Sequence, residues 1–173
     1  MIQKSALYIG LILLLASCSV TKKLPAGESL YTGADIKIKA DSSIKKSEIE
    51  RVNAELAEFV RPKPNTAIMG FPYRVWLYYV MGEPRKPKGF RTWFRRKFGE
   101  PPVLASRGVI NANTKQINIL LNNQGFFRTT TSGDIVDKNR LAKAVYTINL
   151  KPQYLLDSVH FEIDGDTSDF GKA

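Results

Sequence analysis

Two stretches far apart in the chain alternate strictly between apolar and polar side chains, and a period of two commits both to β-strands with one buried face. In the first, Ala34, Ile36, Ile38 and Ala40 face one way while Asp35, Lys37, Lys39 and Asp41 face the other. In the second, Ala142, Ala144, Tyr146, Ile148 and Leu150 alternate with Lys143, Val145, Thr147 and Asn149. One-faced strands need a cover, and amphipathic helices between them are the natural one.

The intervening sequence predicts that cover. Ser47 and Glu50 match a capping box, in which each side chain satisfies a backbone N–H of the first helical turn. Ile49, Val52, Leu56, Phe59 and Val60 then recur at helical spacing with Glu55 and Glu58 outside the stripe, and Pro62 and Pro64 end the helix. A second helix is expected to begin near a capping Asn113, run through Ile117, Leu120 and Leu121, and stop at Gly125. Phe126 to Val136, rich in Thr, Phe and Val with a weak point at Ser132-Gly133, reads as a strand. A turn over Asp137 to Arg140 joins it to the Ala142 strand as a hairpin. The expected fold is α+β: a β-α-α-β-β module over 30–152, with two helices on one face of a three-stranded mixed sheet. Beyond Pro152 the alternation restarts, with Val159, Phe161 and Ile163 opposite Ser158, His160 and Glu162. Residues 153–173 are therefore expected to begin a second, incomplete module.

At the N-terminus Lys4 precedes an apolar run from Ala6 to Ala16, too short for the roughly 20 residues that span a bilayer. It predicts a removed signal over residues 1–17. Leu15-Ala16-Ser17-Cys18 resembles the lipobox of bacterial lipoproteins, which implies cleavage before Cys18 and acylation of its sulfur. Cys18 is the one cysteine of the chain, so it cannot close an intramolecular disulfide, and acylation accounts for a thiol in an exported protein. Residues 18–29 lack periodicity and are expected to form a lipidated tether.

The net charge of +10 is unevenly placed. Seven basic and seven acidic residues balance between Cys18 and Val60, and seven of each balance again between Gly108 and Ala173. Arg61 to Arg107 holds eleven basic residues against Glu83 and Glu100, a local +9. This block is the long insertion between the two helices. Within it, helical spacing puts Phe90, Trp93, Phe94 and Phe98 on one face, with Arg91, Arg95 and Arg96 off it. That pattern fits an interfacial membrane segment or a partner surface carried by Arg91, Trp93, Phe94, Arg95, Arg96 and Phe98. It also fits, somewhat better, a packing of Trp76 and Trp93 onto the domain core with the arginines left in water. Aromatics among cations also suit single-stranded nucleic acid, but the export signal argues against that partner.

Catalytic chemistry finds little material. His160, the one histidine, falls on the polar side of a predicted strand and reads as solvated. With Cys18 acylated, no Cys/His pair, Ser/His/Asp set or metal cluster assembles. Asp164, Asp166 and Asp169 lack the spacing and terminal Glu of a calcium loop, and no Gly-rich phosphate loop occurs. The expectation is a binding module and not an enzyme, with no cofactor or metal beyond the covalent lipid on Cys18.

The order of elements, the Asn123-Gln-Gly-Phe-Phe127 junction and the Tyr146 strand leading into Tyr154-Leu-Leu-Asp-Ser-Val-His-Phe161 resemble a POTRA domain. Arg61-Pro-Lys-Pro-Asn65, Val75-Trp-Leu-Tyr78 and Phe98-Gly-Glu-Pro-Pro-Val103 are similar to the N-terminal region of lipidated members of the BamA/TamA outer-membrane assembly family. The resemblance implies periplasmic POTRA modules ahead of a C-terminal β-barrel in the parent protein, anchored at the periplasmic face of the outer membrane. It also implies that unfolded outer-membrane proteins, or an envelope assembly partner, add as a strand to the edge of the second strand. Here that edge is Phe127, Arg128, Thr129, Thr130 and Thr131, and proline at Thr130 is expected to block its ladder bond. The insertion exceeds the usual connection, and no run of barrel strands occurs in this sequence. A stand-alone envelope lipoprotein acting as a structural adaptor is the competing expectation.

Overall fold

The computed structural model describes residues 20–84 and 86–159. The expected signal over 1–17, Cys18, Arg85, His160 and the acidic run Asp164 to Asp169 lie outside the described residues.

Strands β1 (Leu30–Ala40), β2 (Thr130–Lys138) and β3 (Leu141–Leu150) form one sheet in the order β1-β3-β2. β3 runs parallel to β1 and antiparallel to β2, so the chain is α+β with a mixed sheet. A parallel pair needs a long crossover, and helices α1 (Lys46–Phe59), α2 (Tyr73–Met81), α3 (Phe90–Phe98) and α4 (Arg107–Asn123) lie within it. The strand with the most regular alternation takes the centre: Ala142, Ala144, Tyr146, Ile148 and Leu150 are all buried. Val52 and Leu56 of α1, and Ile110, Ile117 and Leu121 of α4, close over this face. Each such buried aliphatic contributes about 1.5–3 kcal/mol.

Several boundaries differ from expectation. β1 starts at Leu30, before the alternation becomes strict. α1 begins after Lys45 with no side-chain cap, so the Ser47 and Glu50 box does not form. The local hydrogen-bond acceptor is instead Asp41, whose carboxylate takes the Ser43 N–H at 3.3 Å. α4 starts at Arg107, because Ile110 extends the apolar stripe toward the N-terminus. Asn113 is thus buried inside the helix and caps nothing. Its Nδ2 donates to the Tyr146 hydroxyl at 2.8 Å and to the Arg61 carbonyl, satisfying polar groups that burial would otherwise leave unpaired. Burial, then the neighbouring Tyr146, push the Tyr31 phenol up to about 12.

The strand expected over Phe126 to Val136 is displaced toward the C-terminus. Gly125 takes a φ of +88°, α4 stops, and Phe126 drops into the core while its N–H bonds Leu121 O at 2.9 Å. Phe127 and Arg128 form a turn, closed by Thr129 N–H to Phe126 O at 3.1 Å. Gly133 is no weak point: a Cβ there would meet Thr114 Oγ1 at 2.6 Å and Ile110 Cγ2 at 2.7 Å, so glycine lets α4 lie close on β2.

A second apolar cluster replaces the expected tether. Val20 and Leu24 are 1% and 5% exposed and pack with Leu30 and Val75, flanked by Phe71, Trp76, Tyr79, Leu104 and Leu141. Arg140, in the β2–β3 turn, holds this segment. Its guanidinium donates to Thr21 O at 2.8 Å, Glu28 O at 2.9 Å, Leu24 O at 3.2 Å and to Pro25 O. The four carbonyls curl around one cation, which is why residues without periodicity still fold. At the other end, Ser158 and Val159 belong to no strand, and the rest of the expected second-module strand lies outside the described residues.

Candidate functional site: an open sheet edge and an aromatic helix

The hairpin turn determines which backbone groups β2 offers. Asn139 and Arg140 have φ of 56° and 63°, the two-residue turn in which the flanking Lys138 and Leu141 exchange both hydrogen bonds. Counting in twos, Ser132 opposite Thr147 and Thr130 opposite Asn149 are also hydrogen-bonded pairs. The backbone groups of Thr131, Gly133, Ile135 and Asp137 therefore point away from β3, and among the described residues no strand pairs with them. Of the expected edge residues, Phe127, Arg128 and Thr129 precede the strand, and Thr130 and Thr131 lie in it. The Thr130 N–H faces inward, so proline there would break the sheet and not the outer edge.

The opposite edge is partly covered. Tyr31 N–H donates to Val103 O at 2.8 Å and Ala105 N–H to Ser29 O at 2.9 Å, so 103–105 runs along the start of β1. Further along, a groove of about 560 Å³ opens between β1 and the end of α1, lined by Ala34, Ile36, Ala57, Val60 and Pro64.

The insertion is a helical hairpin closed at its base. Asn65 Nδ2 donates to Pro101 O at 2.9 Å, its Oδ1 accepts from Val103 N–H at 2.7 Å, and Glu100 accepts from Thr66 N–H at 3.1 Å. Burial opposes the Glu100 charge, but hydrogen bonds from Thr66 and Asn65 and the nearby Arg74 together hold its carboxyl below the usual value. α2 and α3 run antiparallel: Arg91 Nη2 donates to Met81 O at 2.6 Å, the Arg95 guanidinium lies 3.9 Å over the Tyr78 ring, and Glu100 N–H donates to Arg74 O.

These contacts divide the expected α3 surface. Phe90, Trp93, Phe94 and Phe98 do share one face, with ring centroids 4.7–6.5 Å apart. Arg95 is turned to α2 and, like Phe94, is half-buried, while Arg91 reaches the Met81 carbonyl and stays exposed. Phe90, Trp93 and Phe98 are exposed, as are Arg96 and Lys97. Trp76, by contrast, packs on the second cluster. Of the two tryptophans expected to pack on the interior, Trp76 does so and Trp93 does not.

Sequence reasoning missed Arg140, Asn65 and Glu100. A signal existed for Arg140 alone, an arginine where a hairpin turn favours Asn or Gly. Every perturbed group among the described residues moves away from neutrality: Tyr31, Tyr79 and Tyr146 upward, Asp41 and Glu100 downward. No helix among them is long and apolar enough to cross a membrane, and no three metal-ligating side chains gather. Comparison with known protein families, with curated proteins and with solved structures finds no match.

Proposed function

We propose that the chain is the POTRA-like, lipid-anchored portion of an outer-membrane protein assembly factor of the BamA/TamA type, and that its β2 edge takes up extended client chains as an added strand. The observation that carries the reading is the outward row of backbone groups on β2, unpaired by any described strand. Strand addition draws its affinity from such groups and little from client sequence, which suits unfolded outer-membrane proteins. The mixed β1-β3-β2 sheet with helices in the crossover, together with the motifs similar to that family, supports the POTRA assignment. In this reading Cys18 carries the acyl anchor at the periplasmic face, the domain binds and does not catalyse, and a barrel belongs to the parent protein.

The test is proline at Thr131, whose N–H points outward and whose hydroxyl is buried without a partner. Proline is tolerated on an edge strand when its nitrogen faces away from the sheet. A photo-crosslinker at exposed Ser132 is expected to capture an unfolded outer-membrane-protein peptide in the parent, and to lose it in Thr131→Pro with unchanged circular dichroism. Capture that persists in the folded variant would rule the edge out. Intact mass, with and without Cys18→Ser, reads the anchor independently.

A further inference from the structure

We infer that α3 is an interfacial membrane element: Phe90, Trp93 and Phe98 enter the headgroup boundary of an anionic phospholipid bilayer, and Arg96, Lys97 and Lys88 neutralise its phosphates. The apolar half of the argument is exposure. Phe90 is 74% and Trp93 50% exposed, and no residue of α3 is buried, although the helix is nearly half aromatic. An aromatic cluster of this kind left in water is costly.

The polar half is charge. Between Pro84 and Gly99 the sequence holds no acidic residue. Arg91 and Arg95 are engaged with α2, whereas Lys88, Arg96 and Lys97 surround a shallow recess floored by Trp93 and Thr92. Lys97 lies 5.0 Å from the Trp93 ring, so cation and aromatic reach one surface together. A folded client core offers apolar area without negative charge, and a single-stranded nucleic acid offers phosphates with separate stacking bases in place of a continuous apolar layer. A bilayer of anionic lipid presents both, in the order that snorkelling cations over inserted rings require.

The N-terminal segment places α3 within reach of such a surface. Val20 is buried against α2 through Val75, so only Ser19 separates Cys18 from the folded body, a span of about 7 Å when extended. α3 packs on α2, one interhelical distance of roughly 8–10 Å further on. This step rests on the acylation of Cys18 proposed above; the chemistry of the α3 face does not. A lipid on so short a leash supplies the first of the two signals that stable membrane attachment takes, and α3 the second.

Tryptophan emission separates the helix from the anchor. In the full chain carrying Trp76→Phe, Trp93 is the sole reporter, and vesicles of phosphatidylglycerol and phosphatidylethanolamine are expected to move its emission to shorter wavelength. Phosphatidylcholine vesicles are expected to leave it unchanged. Arg96→Gln with Lys97→Gln is expected to weaken the response about 25-fold, at roughly fivefold per basic charge. Trp93→Phe, which retains the half-buried Trp76, provides the same comparison by difference if the first variant folds poorly. A chain that sediments with vesicles while Trp93 emission stays fixed overturns the proposal, since the anchor alone then holds it. An equal response to phosphatidylcholine, or a response only to acidic polypeptide or single-stranded DNA, overturns it as well. A failed Cys18 acylation, read by mass, leaves the Trp93 result standing on its own.

Discussion

α2 and α3 are each nine residues long, sit in the same basic insertion and are both rich in aromatics, yet they meet opposite environments. α2 (YRVWLYYVM) carries a single cation and presents Val75, Trp76 and Tyr79 to Val20, Leu24 and Leu30. α3 (FRTWFRRKF) carries four, directs two of them to α2, and leaves Phe90, Trp93 and Phe98 exposed. Aromatic content alone does not decide burial. What decides it is whether the rest of the helix can be desolvated, and four cations in nine residues cannot all leave water without partners.

The contrast is easiest to break at Leu30, which joins the sheet to the cluster under α2 and is 2% exposed. Leu30→Ala is expected to cost about 2–5 kcal/mol in urea unfolding, while Phe90→Ala on α3 stays within about 0.5 kcal/mol. Comparable losses at both sites would mean that α3 is packed after all. Next in size is Arg140→Met, which keeps the stem and the backbone conformation but removes the donors to Thr21, Leu24, Pro25 and Glu28. The expected loss is about 1.5–3 kcal/mol, with faster hydrogen exchange over residues 20–28 and no change on α3. The smallest effect lies at the base of the hairpin. Because Glu100 has a folded pKa below its ordinary 4.5, its contribution is complete above that value and fades as pH falls through the folded one. The protection factor of the Thr66 amide, its exchange relative to an unfolded chain at the same pH, is therefore expected to fall in acid, and Glu100→Gln to remove that pH dependence.

Much of the sheet module was legible because its signals are local. The alternation of Ala142 to Leu150, the Val52 and Leu56 stripe and the turn at Asn139-Arg140, shorter than the expected Asp137 to Arg140, each satisfy a period or a φ requirement within a few residues. The misses involve partners distant in sequence. Asn113 reads as a cap until Tyr146 and Arg61 are seen beside it. Phe127 reads as strand until Phe126 is drawn into the core and bends the chain. On α3 the shared aromatic face was visible in the sequence, but the engagement of Arg91 and Arg95 was not, since Met81 and Tyr78 belong to another helix.

By itself the sequence determined the α+β composition, the apolar faces of β1 and β3 and the concentration of charge in the insertion, because side-chain periodicity and ionisation need no tertiary partner. The tertiary structure alone decided that residues 20–29 are part of the domain and not a leash, that the outer groups of β2 begin at Thr131, and that α3 keeps Phe90, Trp93 and Phe98 exposed. Each of those depends on which carbonyls, strands or helices meet across the fold: four carbonyls closing on Arg140, a hairpin counted from its turn, and α2, not α3, packing on the second apolar cluster.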